Sequence, residues 1–148
     1  MSALVVCLSR EHGNTSALAA AIAEELGAEV VEPRQVTATM IAEHELIGFG
    51  SGIRFTRHYQ DLLNAVDHLP QQPTTRAFVF STSGVGTTMW HWALNRRLRT
   101  KGFDVVGQFC CKGLDTMGLL RLIGGLNKGR PHAADIDQAR SFARGLSR

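Results

Sequence analysis

The sequence predicts an α/β fold in which helices cover both faces of a parallel sheet. Short apolar runs rich in β-branched residues alternate with segments of helical spacing, and glycine or proline ends most of these segments. The alternation occurs five times, which predicts five strands joined by crossover helices. The chain has 148 residues, about the usual size of one domain, so we expect a single domain over residues 1–148.

The expected strands are continuous apolar runs, as in strands that are buried on both faces. Ala3–Leu8 is the first of them, and the third runs directly into glycines. The five predicted strands are Ala3–Leu8, 28–31, 46–49, 77–80 and 103–110.

The helices are predicted from apolar residues three and four positions apart and from residues that end a helix. In Asn14–Leu26, the residues Leu18, Ile22 and Leu26 share one face, and Gly27 follows. The segment 57–69 carries Tyr59 on its apolar face and ends at Pro70. Further helices are predicted at 36–43, where the pattern is weak, at 88–101 and at Ala133–Leu146.

Composition excludes several classes of protein. With 44% hydrophobic and 20% charged residues, the chain is neither disordered nor collagen-like. No apolar run is long enough to cross a bilayer, and the N-terminus has no signal-peptide pattern. The three cysteines (Cys7, Cys110 and Cys111) are typical of reduced thiols, so we expect a cytoplasmic protein.

The charge balance is mildly basic, with a formal net charge of +3. This is too little for a dedicated nucleic-acid binder, so no nucleic-acid partner is expected. The excess is concentrated in Arg96, Arg97, Arg99 and Lys101, and again near the C-terminus. The favoured interpretation is solvated helix faces, and the alternative is a docking surface for an acidic partner.

The loop at residues 9–16 joins the first strand to the N-terminus of a helix. Backbone N–H groups and partial positive charge at such a terminus favour an anion, and Gly13 lets the backbone approach it. Hydroxyl and amide donors surround this glycine, which predicts an anion site rather than a simple helix cap. The P-loop and dinucleotide glycine patterns are absent, and so are the motifs of low-molecular-weight phosphatases and response-regulator receivers.

The same loop resembles the phosphate loop of the flavodoxin family, Ser/Thr-x-x-Thr-Gly-Asn-Thr, with His12 at the usual threonine position. The order of strands and helices matches over essentially the whole chain. The resemblance implies a flavodoxin-like open sheet of five parallel strands in the order 2-1-3-4-5, with FMN bound between strands one and three. It also implies that the cofactor phosphate contacts Ser9, Arg10, His12, Gly13, Asn14 and Thr15.

Two further loops correspond to those that hold the flavin ring in this family. The loop after the third strand supplies Ser51, Gly52, Ile53, Arg54 and Phe55, and the loop after the fourth supplies Thr82, Ser83, Gly84, Val85, Gly86 and Trp90. Phe55 either lies on the ring or belongs to the core, whereas Trp92 is expected in the core. An Arg54 guanidinium near the flavin would favour the anionic reduced ring and raise its reduction potential.

The remaining side chains suggest little additional chemistry. The six histidines lack metal-ligand spacing, so no metal is predicted, and only His12 has an expected role. A partly protonated His12 would make cofactor affinity fall as pH rises. The long segment 112–130 is glycine-rich and has no predicted role, although it could border the ring.

The resemblance implies an FMN-binding redox protein that transfers electrons to a partner protein or a small-molecule acceptor. Two alternatives stay open. One is an FMN-dependent oxidoreductase acting on a small molecule, similar to quinone reductases or to flavodoxin-like protoporphyrinogen oxidases, which it resembles around residues 51–55 and at His58. The other is an interaction domain on the same fold without a flavin.

Overall fold

The computed structural model describes residues 2–9, 14–112 and 132–147. Five parallel strands form one sheet in the order β2-β1-β3-β5-β6, and a short strand, β4, pairs antiparallel with β3. Because β5 and β6 are the fourth and fifth predicted strands, the predicted order is confirmed. The strands are β1 (Ala3–Leu8), β2 (Glu29–Val31), β3 (Leu46–Arg54), β4 (Arg57–His58), β5 (Arg76–Ser83) and β6 (Asp104–Lys112).

Helices cover both faces of the sheet, as predicted. The described helices are α1 (Asn14–Leu26), α2 (Ala38–Ala42), α3 (Gln60–Asp67), α4 (Trp92–Thr100) and α5 (Ala133–Leu146). Two 3-10 turns, Pro33–Gln35 and Thr88–His91, precede α2 and α4. Apolar residues of α1 and α5 pack on one face of the sheet, and those of α2, α3 and α4 pack on the other. Each large aliphatic side chain buried there contributes roughly 1.5–3 kcal/mol.

Glycine ends α1 and α4 in the same way. Gly27 and Gly102 have φ values of 64° and 91°, a left-handed conformation that favours glycine. After α1, the N–H groups of Gly27 and Ala28 donate to the carbonyls of Glu24 and Ala23. These two bonds form a Schellman motif and satisfy carbonyl groups that the helix end would leave without partners.

The second loop differs from the prediction. The sequence predicted a loop from Gly50 and a helix over 57–69, but β3 continues to Arg54 and turns into β4. Helix α3 therefore begins only at Gln60, and Tyr59 is its N-cap residue instead of a residue on its apolar face. The hairpin pairs Ile53 with His58 and Arg54 with Arg57, and these backbone hydrogen bonds replace those of an extra helical turn.

Alternate glycines of β3 are each covered by an aromatic ring. Phe78 and Phe80 of β5 lie directly opposite Gly48 and Gly50, and a Cβ atom on either glycine would overlap the neighbouring ring. At Gly52 a Cβ atom would lie 2.5 Å from the hydroxyl oxygen of Tyr59. The centre of the sheet therefore requires glycine at these positions, because any side chain would displace a packed ring.

Candidate functional site

Three loops leave the carboxyl ends of the neighbouring strands β1, β3 and β5. In the sheet, Leu8 pairs with Ser51, and Gly52 pairs with Thr82, so the strands end at similar heights. The chain reverses its direction of progress across the sheet between β1 and β3. In open α/β sheets, ligands bind at such a switch point, outside the carboxyl ends of the strands.

Part of the first loop is described. Ser9 is half-buried, and its Oγ accepts a hydrogen bond of 3.2 Å from the backbone N–H of Ser16. Asn14, also half-buried, is the first residue of α1, and Thr15 is buried. The predicted site residues Arg10, His12 and Gly13 lie outside the described residues.

A buried hydroxyl pair joins the first loop to the third. Thr15 Oγ1 and Thr82 Oγ1 are 2.8 Å apart, and both residues are buried. Beneath them, the Cys7 thiol donates to the Thr15 carbonyl at 3.7 Å. Burial raises the pKa of Cys7 to about 12, so this thiol stays protonated and unreactive at neutral pH.

In the second loop, the predicted site residues differ in exposure. Ser51 is buried, and its Oγ donates to the Gly52 carbonyl at 2.7 Å and accepts from the Tyr59 N–H at 3.1 Å. Gly52 is also buried and Ile53 is half-buried, whereas Arg54 is exposed. This part of the loop therefore presents backbone at its base and a cation at its tip.

Two aromatic residues, one in the hairpin turn and one at the start of α4, lie outside the core. Phe55 is 80% exposed, which excludes a place in the core. Trp92 was predicted in the core, but it is 51% exposed, and its indole N–H donates to the Thr56 carbonyl at 2.9 Å. Because that carbonyl lies in the hairpin turn, the bond fixes the first residue of α4 to the tip of the hairpin.

The third loop is held by its own side chains. The Gly86 N–H donates to Ser83 Oγ at 2.8 Å, and Gly86 has a φ of 69°. Its carbonyl accepts from the Cys110 thiol at 3.2 Å. Gly84 is half-buried, whereas Val85 is exposed. Trp90 is half-buried in the 3-10 turn that follows.

Two histidines beneath these loops form a buried pair that the sequence did not predict. His58 and His91 are 1% and 0% exposed, and their ring centroids are 5.0 Å apart. His91 Nε2 lies 2.7 Å from Ser81 Oγ, and its Nδ1 lies 3.0 Å from Gln108 Oε1. With the amide oxygen accepting, Nδ1 carries the proton of His91 and the Ser81 hydroxyl donates to Nε2.

The environment keeps both histidines neutral. Burial, with a smaller contribution from His91, lowers the pKa of His58 to about 3, and a hydrogen bond to the Phe80 carbonyl opposes this shift. Burial also lowers the pKa of His91, opposed by its bond to Gln108. His58 Nε2 is 3.0 Å from the Phe80 carbonyl oxygen and therefore donates to it, whereas its Nδ1 has no hydrogen-bond partner among the described residues.

A cavity of about 630 Å³ lies on the β2 side of the sheet. It is lined by Leu8, by residues 32–34 after β2, by α3 residues including Asn64, and by His68 directly after α3. Neither the second nor the third loop lines it. Within residues 2–9, 14–112 and 132–147, no three His, Cys, Asp or Glu side chains are grouped so that they could hold a metal ion. None of the helices in these ranges combines the length and the hydrophobicity that a membrane span requires.

Comparison with known proteins identifies one relative by sequence and several by fold. No family model matches the sequence. The chain is 40% identical over 148 residues to "Uncharacterized protein MJ0298" of Methanocaldococcus jannaschii, covering 99% of this chain and 98% of that protein.

Among solved structures, a flavodoxin from the domain Archaea superposes with a TM-score of 0.68 at 19% identity, over 99% of this chain and 96% of that chain. The flavodoxin of Streptococcus pneumoniae TIGR4 gives 0.71 at 15% identity, over 99% and 98%. The chain therefore belongs to the family of the Methanocaldococcus jannaschii protein, and its fold is that of the flavodoxins.

Proposed function

We propose that the chain binds FMN at the carboxyl edge of the sheet and transfers electrons through the bound flavin. The observation that carries this proposal is the convergence of three loops from adjacent strands at the switch point between β1 and β3. The predicted phosphate loop is one of these three, and the two predicted ring loops are the others.

The first loop suits the phosphate end of FMN. Its described residues Ser9, Asn14 and Thr15 carry small uncharged donors, and they lie where α1 begins. The 13 residues of α1 are enough for its terminal N–H groups and dipole to favour an anion. Arg10, His12 and Gly13 are proposed to complete this end, on the resemblance of their motif.

The second and third loops suit the ring end. We propose that buried backbone at Ser51 and Gly52, and hydroxyls at Thr82 and Ser83, orient the flat polar ring and exclude water from its edges. The flavin ring is proposed to be bordered by Ile53, Arg54, Phe55, the segment 84–86 and Trp90. When bound, FMN supplies the electron-transfer chemistry, and the chain binds and orients it.

A cytoplasmic location is part of this proposal. Cys7, Cys110 and Cys111 are all outside any disulfide, although Cys110 and Cys111 are adjacent in β6. Reduced thiols in this number are typical of a reducing compartment. The electron acceptor is proposed to be a partner protein, because cationic side chains line a groove between the hairpin and α4.

The experiment is a visible absorption spectrum of the purified protein before and after addition of FMN and gel filtration. We expect a retained flavin spectrum at about one flavin per chain. Ser9→Asp, which places a carboxylate at the phosphate end, should abolish retention by repulsion, whereas Ser147→Asp at the end of α5 should not. A colourless wild-type protein that takes up no FMN would contradict the proposal.

Steady-state turnover separates electron carrier from enzyme. For an electron carrier, we expect the flavin-loaded protein to reduce small quinones slowly and to exchange electrons rapidly with a partner protein. Rapid, saturable turnover of a small molecule would favour the FMN-dependent oxidoreductase instead.

A further inference from the structure

A groove between the hairpin and α4 is lined mainly by cationic side chains. It has a volume of about 350 Å³, and its lining includes four cations and one carboxylate: Arg57, Arg96, Arg97, Lys101 and Asp67, together with the Trp92 indole. Lining a single groove places these side chains on one continuous surface.

Among the described residues, three of the four cations have no carboxylate partner. Asp67 is bound by Arg97, with 3.2 Å between Oδ2 and Nε. Within the part of the chain that the structure describes, Arg57, Arg96 and Lys101 make no ion pair. The described acidic side chains therefore do not compensate these three cations, which leaves a positive potential available to an approaching partner.

The hairpin adds positive charge at a cost in stability. Arg54 and Arg57 are directly opposite across β3 and β4, and like charges in this position repel. The two turn residues, Phe55 and Thr56, have φ values of 52° and 64°, although neither is glycine or asparagine. Strain of this kind costs about 1 kcal/mol or more per residue and is found mainly at functional sites.

Large apolar side chains accompany the cations. Phe55 at the hairpin tip, Met89 in the 3-10 turn and Trp92 are 80%, 74% and 51% exposed. The bond from the Trp92 indole to the Thr56 carbonyl makes the hairpin tip and α4 parts of one surface. Aromatic residues, methionine and arginine are the residues enriched in protein–protein interfaces.

We propose that the cationic face, defined as Arg54, Phe55, Arg57, Trp92, Arg96 and Lys101, docks an acidic electron-transfer protein. This rests on the proposed function, because the face includes the tip of a loop proposed to border the flavin. A partner seated there approaches the edge of the flavin, and its acidic residues compensate the unpaired cations.

The experiment measures binding of an acidic plant-type [2Fe–2S] ferredoxin, used as the probe, to flavin-loaded and flavin-free protein by titration calorimetry. At about 20 mM salt we expect saturable binding that weakens at least tenfold by about 300 mM, because screening shortens the reach of exposed charges. The double variant Arg96→Glu/Lys101→Glu should weaken binding at least tenfold at low salt. Both residues lie outside the proposed flavin contacts, so flavin content should not change.

The single variants Arg96→Glu and Arg144→Glu form a matched pair. Each changes the net charge equally, but Arg144 lies on α5, which covers the opposite face of the sheet. Only Arg96→Glu should weaken ferredoxin binding, and Arg144→Glu should stay within twofold of wild type. Equal weakening by both would show a response to net charge alone and would overturn the proposal.

Two other outcomes also overturn it. Absence of ferredoxin binding at low salt would exclude this class of partner, and tighter binding of oligo-dT than of ferredoxin would assign the face to nucleic acid. Failure of the proposed function gives a different result. A chain that takes up no FMN but binds ferredoxin through Arg96 and Lys101 retains the docking face and loses only the electron-transfer role.

Discussion

The two sides of the sheet's carboxyl edge are built in different ways. At the first loop, the described side chains are short and uncharged, and their hydroxyls bond to the backbone or to one another, as Thr15 does with Thr82. At the hairpin, Arg54 and Arg57 oppose each other, and the turn adopts an unfavourable conformation. Short uncharged donors suit a small ligand held closely, whereas exposed charge suits a large partner that brings its own opposite charge.

Among the predicted effects, the largest is the loss of FMN affinity on removing the Thr15 hydroxyl from the first loop. Thr15→Val leaves the buried Thr82 hydroxyl without its partner and removes a donor from the proposed phosphate end. Hydrogen bonds to charged groups contribute about 1.5–3 kcal/mol, so FMN affinity should fall roughly tenfold to a hundredfold. Quenching of flavin fluorescence measures the dissociation constant. Thr100→Val at the end of α4 is the control, and a Thr15→Val affinity within twofold of wild type would contradict this role.

On the hairpin side, His58 and His91 are buried, and their protonation makes the free energy of unfolding depend on pH. Their pKa values are lowered in the folded protein, so the unfolded chain binds more protons and stability falls as pH drops below about 6.5. With a folded pKa of about 3, His58 alone accounts for a loss of about 2 kcal/mol between pH 7 and 5.

Urea unfolding at pH 7 and pH 5 tests this dependence. His58→Gln keeps a donor for the Phe80 carbonyl and should remove about 2 kcal/mol of the difference between the two pH values. The control Val66→Ala, a buried residue of α3, should lower stability equally at both. An unchanged pH dependence in His58→Gln would be incompatible with the buried neutral histidine.

Relief of the backbone strain in the hairpin turn should have a smaller effect, and it should raise the free energy of unfolding instead of lowering it. Thr56→Gly places glycine at a φ of 64° and should raise the free energy of unfolding by up to about 1 kcal/mol. Thr39→Gly, at an exposed position in α2, should lower it by up to about 1 kcal/mol. Thermal unfolding of both variants is the measurement. A destabilised Thr56→Gly would show that the turn is not strained.

The smallest effect is expected from the exposed cation at the edge of the proposed flavin site. Arg54→Gln should lower the midpoint reduction potential by a few tens of mV, since an exposed charge contributes about 1 kcal/mol or less. Redox titration of the flavin-loaded protein measures it, with Arg144→Gln as the control for net charge. Equal potentials in wild type and Arg54→Gln would place the guanidinium away from the ring.

The main elements of the fold could be predicted because their signals are local. The apolar run of β1 and the spacing of Leu18, Ile22 and Leu26 in α1 depend only on neighbours in sequence. The order of the strands came from the resemblance. Strand β4 left no such signal, because it has only two residues, Arg57–His58, and its turn lacks the Asn-Gly pair typical of short hairpins.

The buried part of the site depends on contacts between distant segments. His58 and His91 are separated in sequence by a helix and a strand, and only the packing of β4 against the 3-10 turn brings their rings together. Trp92 was expected in the core because it lies two positions after Trp90, but its indole N–H donates to the Thr56 carbonyl in the hairpin. Single-sequence patterns contain neither relationship.

The aromatic rings over the glycines of β3 have a consequence for how the chain assembles. Phe78 and Phe80 occupy the spaces above Gly48 and Gly50, and Tyr59 occupies the space above Gly52. If β5 slipped by two residues toward the carboxyl end, Phe80 would have to take the space that Tyr59 already fills; in the other direction, Phe78 would meet the side chain of Leu46. The rings therefore allow only one register between β3 and β5, and this register sets the relative heights at which the second and third loops leave the sheet.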